Sequence, residues 1–110
     1  MKKWIFLFGL WIFPALAQTF LPGTEDIPLM QGIKNVEETA SFDSPSERMV
    51  LIEAKTDLPQ QSVLNFYRKT LKNLGWKEKK PEYFERGKDS FSIEITPSGQ
   101  IQFRLSQSNI

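Results

Sequence analysis

The sequence predicts an α+β domain, in which an antiparallel sheet of about five strands carries one amphipathic helix packed on one face. Three patterns support this prediction. Residues 57–75 repeat apolar side chains at helical spacing, residues 91–105 alternate apolar and polar side chains in two short runs, and residues 33–54 contain two β-prone runs around a turn. The predicted element order is strand, strand, helix, strand, strand, strand.

Residues 1–17 have the composition of a cleavable export signal. Lys2 and Lys3 precede an apolar run, and the small-x-small sequence that ends at Ala17 precedes Gln18. The run of about ten apolar residues is far shorter than the roughly 20 that a membrane-spanning helix needs, which disfavours the alternative of a retained anchor. We therefore expect export, with cleavage after Ala17.

Neither cysteine nor histidine occurs in the sequence. Their absence removes disulfides, thiol nucleophiles, the usual base of a serine triad and the commonest metal ligands. The glycines of the exported part stand singly at predicted turns, so the sequence has no phosphate-binding loop and no dinucleotide motif. We expect no metal, no cofactor, and a fold that depends on its core for stability.

Charge is distributed unevenly along the chain. Residues 18–54 hold two basic and seven acidic side chains, whereas residues 55–88 hold nine basic and four acidic ones. Charges distributed in this way either attract and orient binding partners or form ion pairs with one another within the protein.

Residues 18–32 are predicted to form an extended arm that precedes a single domain over residues 33–110. Two prolines and two glycines interrupt any helical or alternating pattern in the arm. Its apolar side chains are too many for a solvated linker; they are Phe20, Leu21, Ile27, Leu29 and Met30. We expect at least Ile27 to Met30 to lie against the domain, where the arm is a candidate to cover the second face of the sheet. The alternative is an arm that binds another protein.

The first two strands are predicted on either side of a turn at residues 43–47, where a serine precedes a proline. Simple alternation gives the first strand, residues 33–42, an apolar side formed by Val36, Ala40 and Phe42. The second strand, residues 49–54, begins with consecutive apolar residues, which is typical of a central strand covered at least in part on both faces.

The helix prediction includes both ends of the helix. Asp57 and Gln60 have capping-box spacing, Pro59 suits the first turn, and Gly75 supplies the left-handed residue that ends a helix. One face of this helix is apolar and is expected to pack on the sheet; it consists of Val63, Leu64, Phe66, Tyr67, Thr70, Leu71 and Leu74.

After the helix the sequence predicts three more strands. Either residues 77–80 or residues 83–86 form the first of these, because Pro81 between them argues for an edge strand or a bulge. The two alternating runs within residues 91–105 follow as a meander. Residues 106–110 are predicted to be a polar tail that frays.

Basic side chains cluster at the end of the helix and the start of the next strand. The candidate partner-binding residues are Arg68, Lys69, Lys72, Lys77, Lys79 and Lys80. Lysines in such a group suit an anionic membrane surface, a lipid head group or an acidic envelope protein.

Residues 76–88 interleave these basic residues with aromatic ones, a mixture that also occurs in proteins that bind single-stranded nucleic acid. Export argues against that partner, and the glutamates within the segment dilute its charge. The favoured interpretation places Trp76 and Phe84 in the core, so we expect no nucleic-acid partner.

Carboxylates are the remaining candidates for catalysis, since a glycosidase places two of them across a cleft. The pairs available are Glu37 with Glu38 and Glu82 with Glu85. Neighbouring residues on a strand point to opposite faces, so Glu37 and Glu38 cannot converge on one substrate. A domain of this size hardly encloses a pocket. We therefore expect a non-enzymatic protein, with a carboxylate-dependent hydrolase acting on envelope glycan as the alternative.

Four stretches of the chain together resemble a group of small exported proteins of Gram-negative bacteria for which no activity is established. The stretches are Asp26-Ile27-Pro28-Leu29-Met30-x-Gly32, Phe42-Asp43-Ser44-Pro45-x-x-Arg48, Val63-x-x-Phe66-Tyr67-x-x-Thr70-Leu71-x-x-Leu74-Gly75-Trp76 and Phe84-x-Arg86. The resemblance implies a periplasmic location and supplies no catalytic residues. Glu47 departs from the pattern, where a small turn residue is expected. We expect a periplasmic interaction domain or an envelope-associated domain.

Overall fold

In residues 20–24 and 26–108, which the computed structural model describes, an antiparallel sheet of six strands carries one helix, an α+β arrangement. The elements in chain order are β1 (Ile33–Asp43), β2 (Glu47–Thr56), α1 (Gln60–Asn73), β3 (Lys77–Lys80), β4 (Tyr83–Arg86), β5 (Asp89–Ile95) and β6 (Gln100–Ser108). The strands lie in the order β1-β2-β6-β5-β4-β3, so β1 and β3 are the edges of the sheet. The predicted export signal, residues 1–17, lies outside the described residues.

The sheet has six strands rather than about five, because the two segments offered as alternatives for one strand both form. β3 and β4 pair as a hairpin through a turn at Pro81 and Glu82. Glu82 has a φ of 65°, the left-handed backbone that a tight turn uses, and its N–H donates to the Glu78 carboxylate at 2.9 Å. The predicted edge position and bulge are confirmed, since β3 is an edge strand whose register shifts between Glu78 and Lys80.

The core lies between α1 and one face of the sheet, which we call the inner face. Alternate residues of β5 and β6 are buried there, as their alternation predicts, and the ring of Tyr67 on α1 meets the ring of Phe103 edge to face at 5.5 Å. The buried side chains of these three elements are Val63, Leu64, Tyr67, Leu71, Phe91, Ile93, Ile101, Phe103 and Leu105. The opposite side of the sheet is called the outer face below.

β1 departs from simple alternation because its register shifts between Glu38 and Ala40. An extra residue in a strand moves the following side chains to the opposite face. Glu38 therefore lies opposite a buried residue of β2 on the inner face, whereas Ala40 and Phe42 lie on the outer face. The prediction that Val36 shares a side with Ala40 and Phe42 is wrong, since Val36 packs against the core.

β2 has its inner side fully covered and its outer side largely open. Val50 and Ile52 are buried, while Met49 and Leu51 on the outer side are only partly buried. β2 is a central strand between β1 and β6, as predicted. Its outer side is covered only in part, and no described element packs over it.

The helix begins later than predicted, and Asp57 does not cap it. Pro59 is the N-cap residue and has no side-chain cap bond, while the Asp57 carboxylate accepts a hydrogen bond from Lys34 Nζ at 2.7 Å. That hydrogen bond and the nearby positive charge lower the pKa of Asp57. The predicted capping box is therefore wrong, because Lys34 on β1 lies within reach of the carboxylate.

The helix ends as predicted, with a left-handed glycine. Gly75 has a φ of 94°, and Trp76 N–H donates to the Leu71 carbonyl at 2.9 Å while Gly75 N–H donates to the Lys72 carbonyl at 3.1 Å. These two bonds form a Schellman motif. The motif turns Trp76 into the core, where it is 3 % exposed.

The arm lies on the inner face beside α1. Leu21 and Ile27 are each 1 % exposed and belong to the same core as the sheet. Tyr67 Oη on α1 donates to the Pro28 carbonyl at 2.9 Å and accepts from the Met30 N–H at 3.1 Å. The prediction that Ile27 to Met30 lie against the domain is confirmed. The arm completes the core on the helix side and does not cover the second face of the sheet, for which it is one of the candidates.

Residues 106–108, the described part of the tail that is predicted to fray, instead extend β6. Residues 109 and 110 lie outside the described residues. Ser106, Gln107 and Ser108 pair with Met49, Arg48 and Glu47 of β2. Burial of Leu105 brings the chain alongside β2, and the long β2 offers main-chain partners beyond that point.

Candidate functional site

The structure divides the six predicted partner-binding residues between the helix and the edge strand β3. Arg68, Lys69 and Lys72 lie on α1, while Lys77, Lys79 and Lys80 lie on β3. The Schellman motif turns the chain back after α1, which places β3 beside the helix. Gly75 and the burial of Trp76 therefore set how α1 and β3 lie beside each other.

Arg68 forms an internal ion pair with Glu78. Its Nε donates to both carboxylate oxygens of Glu78 at 3.2 and 3.1 Å, and Glu78 also accepts the backbone N–H of Glu82. This bond ties α1 to β3 and to the β3–β4 turn. Because a carboxylate neutralises its charge, Arg68 is less available to an external anion than the sequence suggests.

Lys77 faces away from the other candidates. Glu78 points to the helix, and successive residues of a strand point to opposite faces, so Lys77 lies on the outer face. There it stands opposite Glu85 of β4. Lys77 therefore does not belong to the surface around the helix.

Lys69, Lys72 and Lys79 are exposed, and none of them forms an ion pair or side-chain hydrogen bond with another described residue. Lys80 is also exposed, and its ammonium group lies 5.1 Å from the centre of the Tyr83 ring. Lys80 stands opposite Tyr83, which pairs with Ser92 on the outer face, so Lys80 lies apart from the helix side of the sheet. We call Lys69, Lys72 and Lys79 the basic surface.

An open groove of about 340 Å³ lies within the basic surface, between α1 and the β3–β4 turn. It is lined by Arg68, Glu78, Lys79, Lys80 and Pro81. The groove is shallow and its lysines are exposed, so it can place positive charge against an extended anionic surface but does not enclose a ligand.

The aromatic residues Trp76 and Phe84, near the basic surface, are buried in the core. Trp76 is 3 % exposed and Phe84 is 2 % exposed, as the favoured interpretation of the sequence places them. Arg86 lies over the Trp76 ring at 4.5 Å and bonds Asp26 of the arm at 2.9 Å. Buried rings cannot stack on nucleotide bases, which removes the main structural support for a nucleic-acid site.

A second surface lies on the outer face, and of its carboxylates only Glu37 is among the candidates named from the sequence. Glu37 of β1 pairs with Glu53 of β2, which pairs with Gln102 of β6, which pairs with Glu94 of β5. These side chains line an open depression of about 440 Å³. The alignment of Glu37, Glu53 and Glu94 along one row of the sheet depends on strand register, which no local pattern in the sequence encodes.

The carboxylates proposed for catalysis do not converge. Glu37 and Glu38 lie on opposite faces, as strand geometry predicts, and Glu82 and Glu85 lie in a turn and on the outer face. Within residues 20–24 and 26–108, no group of three or more acidic side chains is placed to hold a metal ion.

Among the described residues, no helix has the length and apolar character needed to cross a membrane.

Comparison of the chain with protein-family models, with curated proteins and with solved structures finds no match. The resemblance to exported proteins of Gram-negative bacteria therefore stays a prediction.

Proposed function

We propose that this protein is a non-catalytic, exported domain of the bacterial envelope that binds an anionic membrane surface through the basic surface. The observation that carries the proposal is that Lys69, Lys72 and Lys79 are exposed and have no carboxylate partner among the described residues. Cations without an internal partner remain available to anions outside the protein.

The arrangement suits an extended anionic surface better than a single phosphate group. A built phosphate site uses a helix N-terminus or a bidentate arginine. The basic surface lies towards the C-terminal end of α1, where carbonyl groups rather than N–H groups are exposed, and Arg68 is occupied by Glu78. Flexible lysines on an open groove adapt to many anionic head groups at once.

The alternative of a glycan hydrolase has less support. The carboxylates that share a depression, Glu37, Glu53 and Glu94, are all exposed to solvent. The general acid of a glycosidase is held in a less polar environment that keeps it protonated. Purified protein is expected to leave envelope glycan intact, and glycan cleavage that is lost in Glu53→Gln or Glu94→Gln would support the hydrolase instead.

The test is binding to lipid vesicles that contain equal parts of phosphatidylglycerol and phosphatidylcholine, measured by co-sedimentation. The chain from Gln18 to Ile110 is used, because it contains every residue of the described core. The test variant carries Lys69→Gln, Lys72→Gln and Lys79→Gln. Each lysine near an anionic surface contributes about 1 kcal/mol, so the partition coefficient is expected to fall by on the order of 100-fold.

A matched control variant carries Lys34→Gln, Lys55→Gln and Arg104→Gln, which removes the same number of charges from positions outside the helix and β3. It should bind much more tightly than the test variant, and binding should weaken with added salt. An equal loss of vesicle binding in the two variants would mean that binding depends on net charge and not on the basic surface. No binding to the vesicles by the native chain would overturn the membrane proposal.

A further inference from the structure

The outer face carries a compact apolar patch close to the β1 edge of the sheet. Phe42 stands opposite Met49, and Ala40 stands opposite Leu51, so two neighbouring cross-strand pairs place their side chains together. Phe42 is 58 % exposed, and Met49 and Leu51 are only partly buried. We call these four residues the outer patch.

Carboxylates bracket the outer patch along the strands. On β2, Glu47 precedes Met49 and Glu53 follows Leu51 on the same face, and Glu37 stands beside Glu53 on β1. Glu47 and Glu53 are about 20 Å apart, at roughly 3.3 Å per residue. Two basic side chains also lie on this face: Arg104 of β6 stands opposite Leu51, and Lys55 follows Glu53 on β2. Lys55 lines the depression with Glu37, Glu53 and Glu94, so carboxylates outnumber the ammonium group at that end.

An occupant of this surface must therefore combine an apolar stripe with positive charge at both ends. A length of about 20 Å corresponds to about 13 residues of α-helix, at 1.5 Å per residue. A helix with apolar residues at its centre and lysines or arginines near its ends would cover the outer patch and reach Glu47 at one end and Glu37 and Glu53 at the other.

The layered packing of sheets supports an occupant on the outer face. An antiparallel sheet with apolar side chains on both faces is stably covered by a layer on each face, and α1 with the arm supplies only the inner layer. Two copies of this chain packed through the outer patch would bring identical carboxylates together, which disfavours a self-interface. An anionic membrane would be repelled by the same carboxylates.

We propose that the outer patch binds a basic amphipathic helix of a partner protein. The proposal rests on the complementarity between the bracketing carboxylates and the basic ends of that helix, and it does not depend on the membrane proposal. Because the basic surface and the outer patch lie on different layers of the fold, both can be occupied together. The domain would then connect a basic partner protein to an anionic surface.

The test uses a synthetic peptide of about 18 residues, long enough to form a helix on binding, with a leucine stripe and lysines near its ends. One comparison peptide has the same composition in an order that removes the stripe. Another has glutamate in place of lysine. Binding to the Gln18–Ile110 chain is measured by fluorescence anisotropy, and the binding site is located by changes in amide chemical shifts.

The striped lysine peptide is expected to bind at least about tenfold more tightly than either comparison peptide. The amide shifts should change in β1, β2 and β6. Phe42→Ser should weaken binding by about tenfold or more, since it removes the most exposed anchor. The double variant Glu37→Gln with Glu53→Gln should weaken binding and reduce its salt dependence. Lys69→Gln with Lys72→Gln is the control on the other layer and should not weaken binding.

Other outcomes would overturn the proposal. Equal binding of the striped and reordered peptides would show that charge alone acts, and shift changes centred on α1 would place the site elsewhere. A concentration-dependent dimer that Phe42→Ser abolishes would assign the patch to a second copy of the chain. If Phe42→Ser does not fold, as judged by circular dichroism, the glutamate double variant decides the question. Vesicle binding is measured separately, so a failure here is distinct from a failure of the membrane proposal.

Discussion

At the scale of single residues, Tyr67 joins the helix to the arm. Its hydroxyl donates to the Pro28 carbonyl and accepts the Met30 N–H, and the ring is fully buried against Phe103. Burial disfavours the ionised phenolate and raises the pKa of Tyr67 to about 12, while the Met30 hydrogen bond acts in the opposite direction. One side chain therefore satisfies two main-chain groups of the arm.

The raised pKa predicts a loss of stability at alkaline pH. The unfolded chain ionises Tyr67 near pH 10 and the folded chain near 12, so this contribution is complete below pH 10 and disappears between pH 10 and 12. A pKa difference of one unit between the folded and unfolded chain corresponds to about 1.4 kcal/mol. The free energy of unfolding is therefore expected to fall by roughly 2 to 3 kcal/mol. Urea unfolding from pH 8 to 11.5 measures it.

Tyr67→Phe is the control for that experiment, because it cannot ionise. At pH 8 we expect it to be about 1 kcal/mol or more less stable, since the Met30 N–H loses its acceptor. Its stability should then fall less steeply than that of the native chain above pH 10. Parallel curves for the two proteins would contradict the assignment to Tyr67.

At the scale of elements, the β3–β4 hairpin is the feature that the sequence describes least well. Its turn requires a left-handed backbone at Glu82, which is unfavourable for a residue with a side chain, and the Glu78 carboxylate stabilises the turn by accepting the Glu82 N–H. The same carboxylate holds Arg68. The hairpin is thus attached to α1 by the pair that removes Arg68 from the basic surface.

Glu82→Gly is predicted to leave stability unchanged or to raise it by up to about 1 kcal/mol, because glycine adopts the left-handed conformation without strain. The backbone N–H that bonds Glu78 is kept. Thermal unfolding measures the change. Gly87→Ala in the next turn is the opposite substitution, because it places a side chain on a left-handed residue. Gly87 has a φ of 62°, and an added methyl group would meet no atom within 4 Å. It should destabilise through backbone strain alone, and a gain in stability there would contradict this reasoning.

At the scale of the whole molecule, the arm is part of the folded unit. Leu21 and Ile27 lie in the core, and Asp26 bonds Arg86, which itself lies over Trp76. The arm, α1 and the hairpin therefore hold one another in place on the inner face. Among the described residues, no element covers the outer face.

Truncation of the chain to begin at Gln31 is predicted to destabilise the domain strongly. Burial of Leu21 and Ile27 contributes about 1.5 to 3 kcal/mol each, and truncation also leaves the Tyr67 hydroxyl unpaired. Ile27→Ala, which keeps the arm, should cost about 2 to 4 kcal/mol. Denaturant unfolding of both proteins measures the effect. Unchanged stability in both would mean that the arm is free, as the alternative of a partner-binding arm requires.

Local sequence is sufficient for the helix, its C-terminal end and the two clearest strands of this protein. The helical stripe, the glycine at Gly75 and the alternation in β5 and β6 are set by neighbours within a few residues, because helix and strand periods and a left-handed turn depend on local backbone geometry. The basic candidates were also visible as a cluster of like charges. The export signal, which the sequence pattern predicts, lies outside the described residues.

Contacts between distant parts of the chain set which of those side chains lie next to one another. The bulge before Ala40 moves Phe42 to the outer face, and the register of β1 on β2 places Glu37 beside Glu53. The packing of α1 on β3 places Arg68 next to Glu78, with which it forms an ion pair. Each of these outcomes depends on residues far apart in the chain. Strand register, the face on which a side chain lies and its ion-pair partner all depend on which apolar surfaces pack together in the core. That packing involves the whole fold, so no local stretch of sequence encodes it.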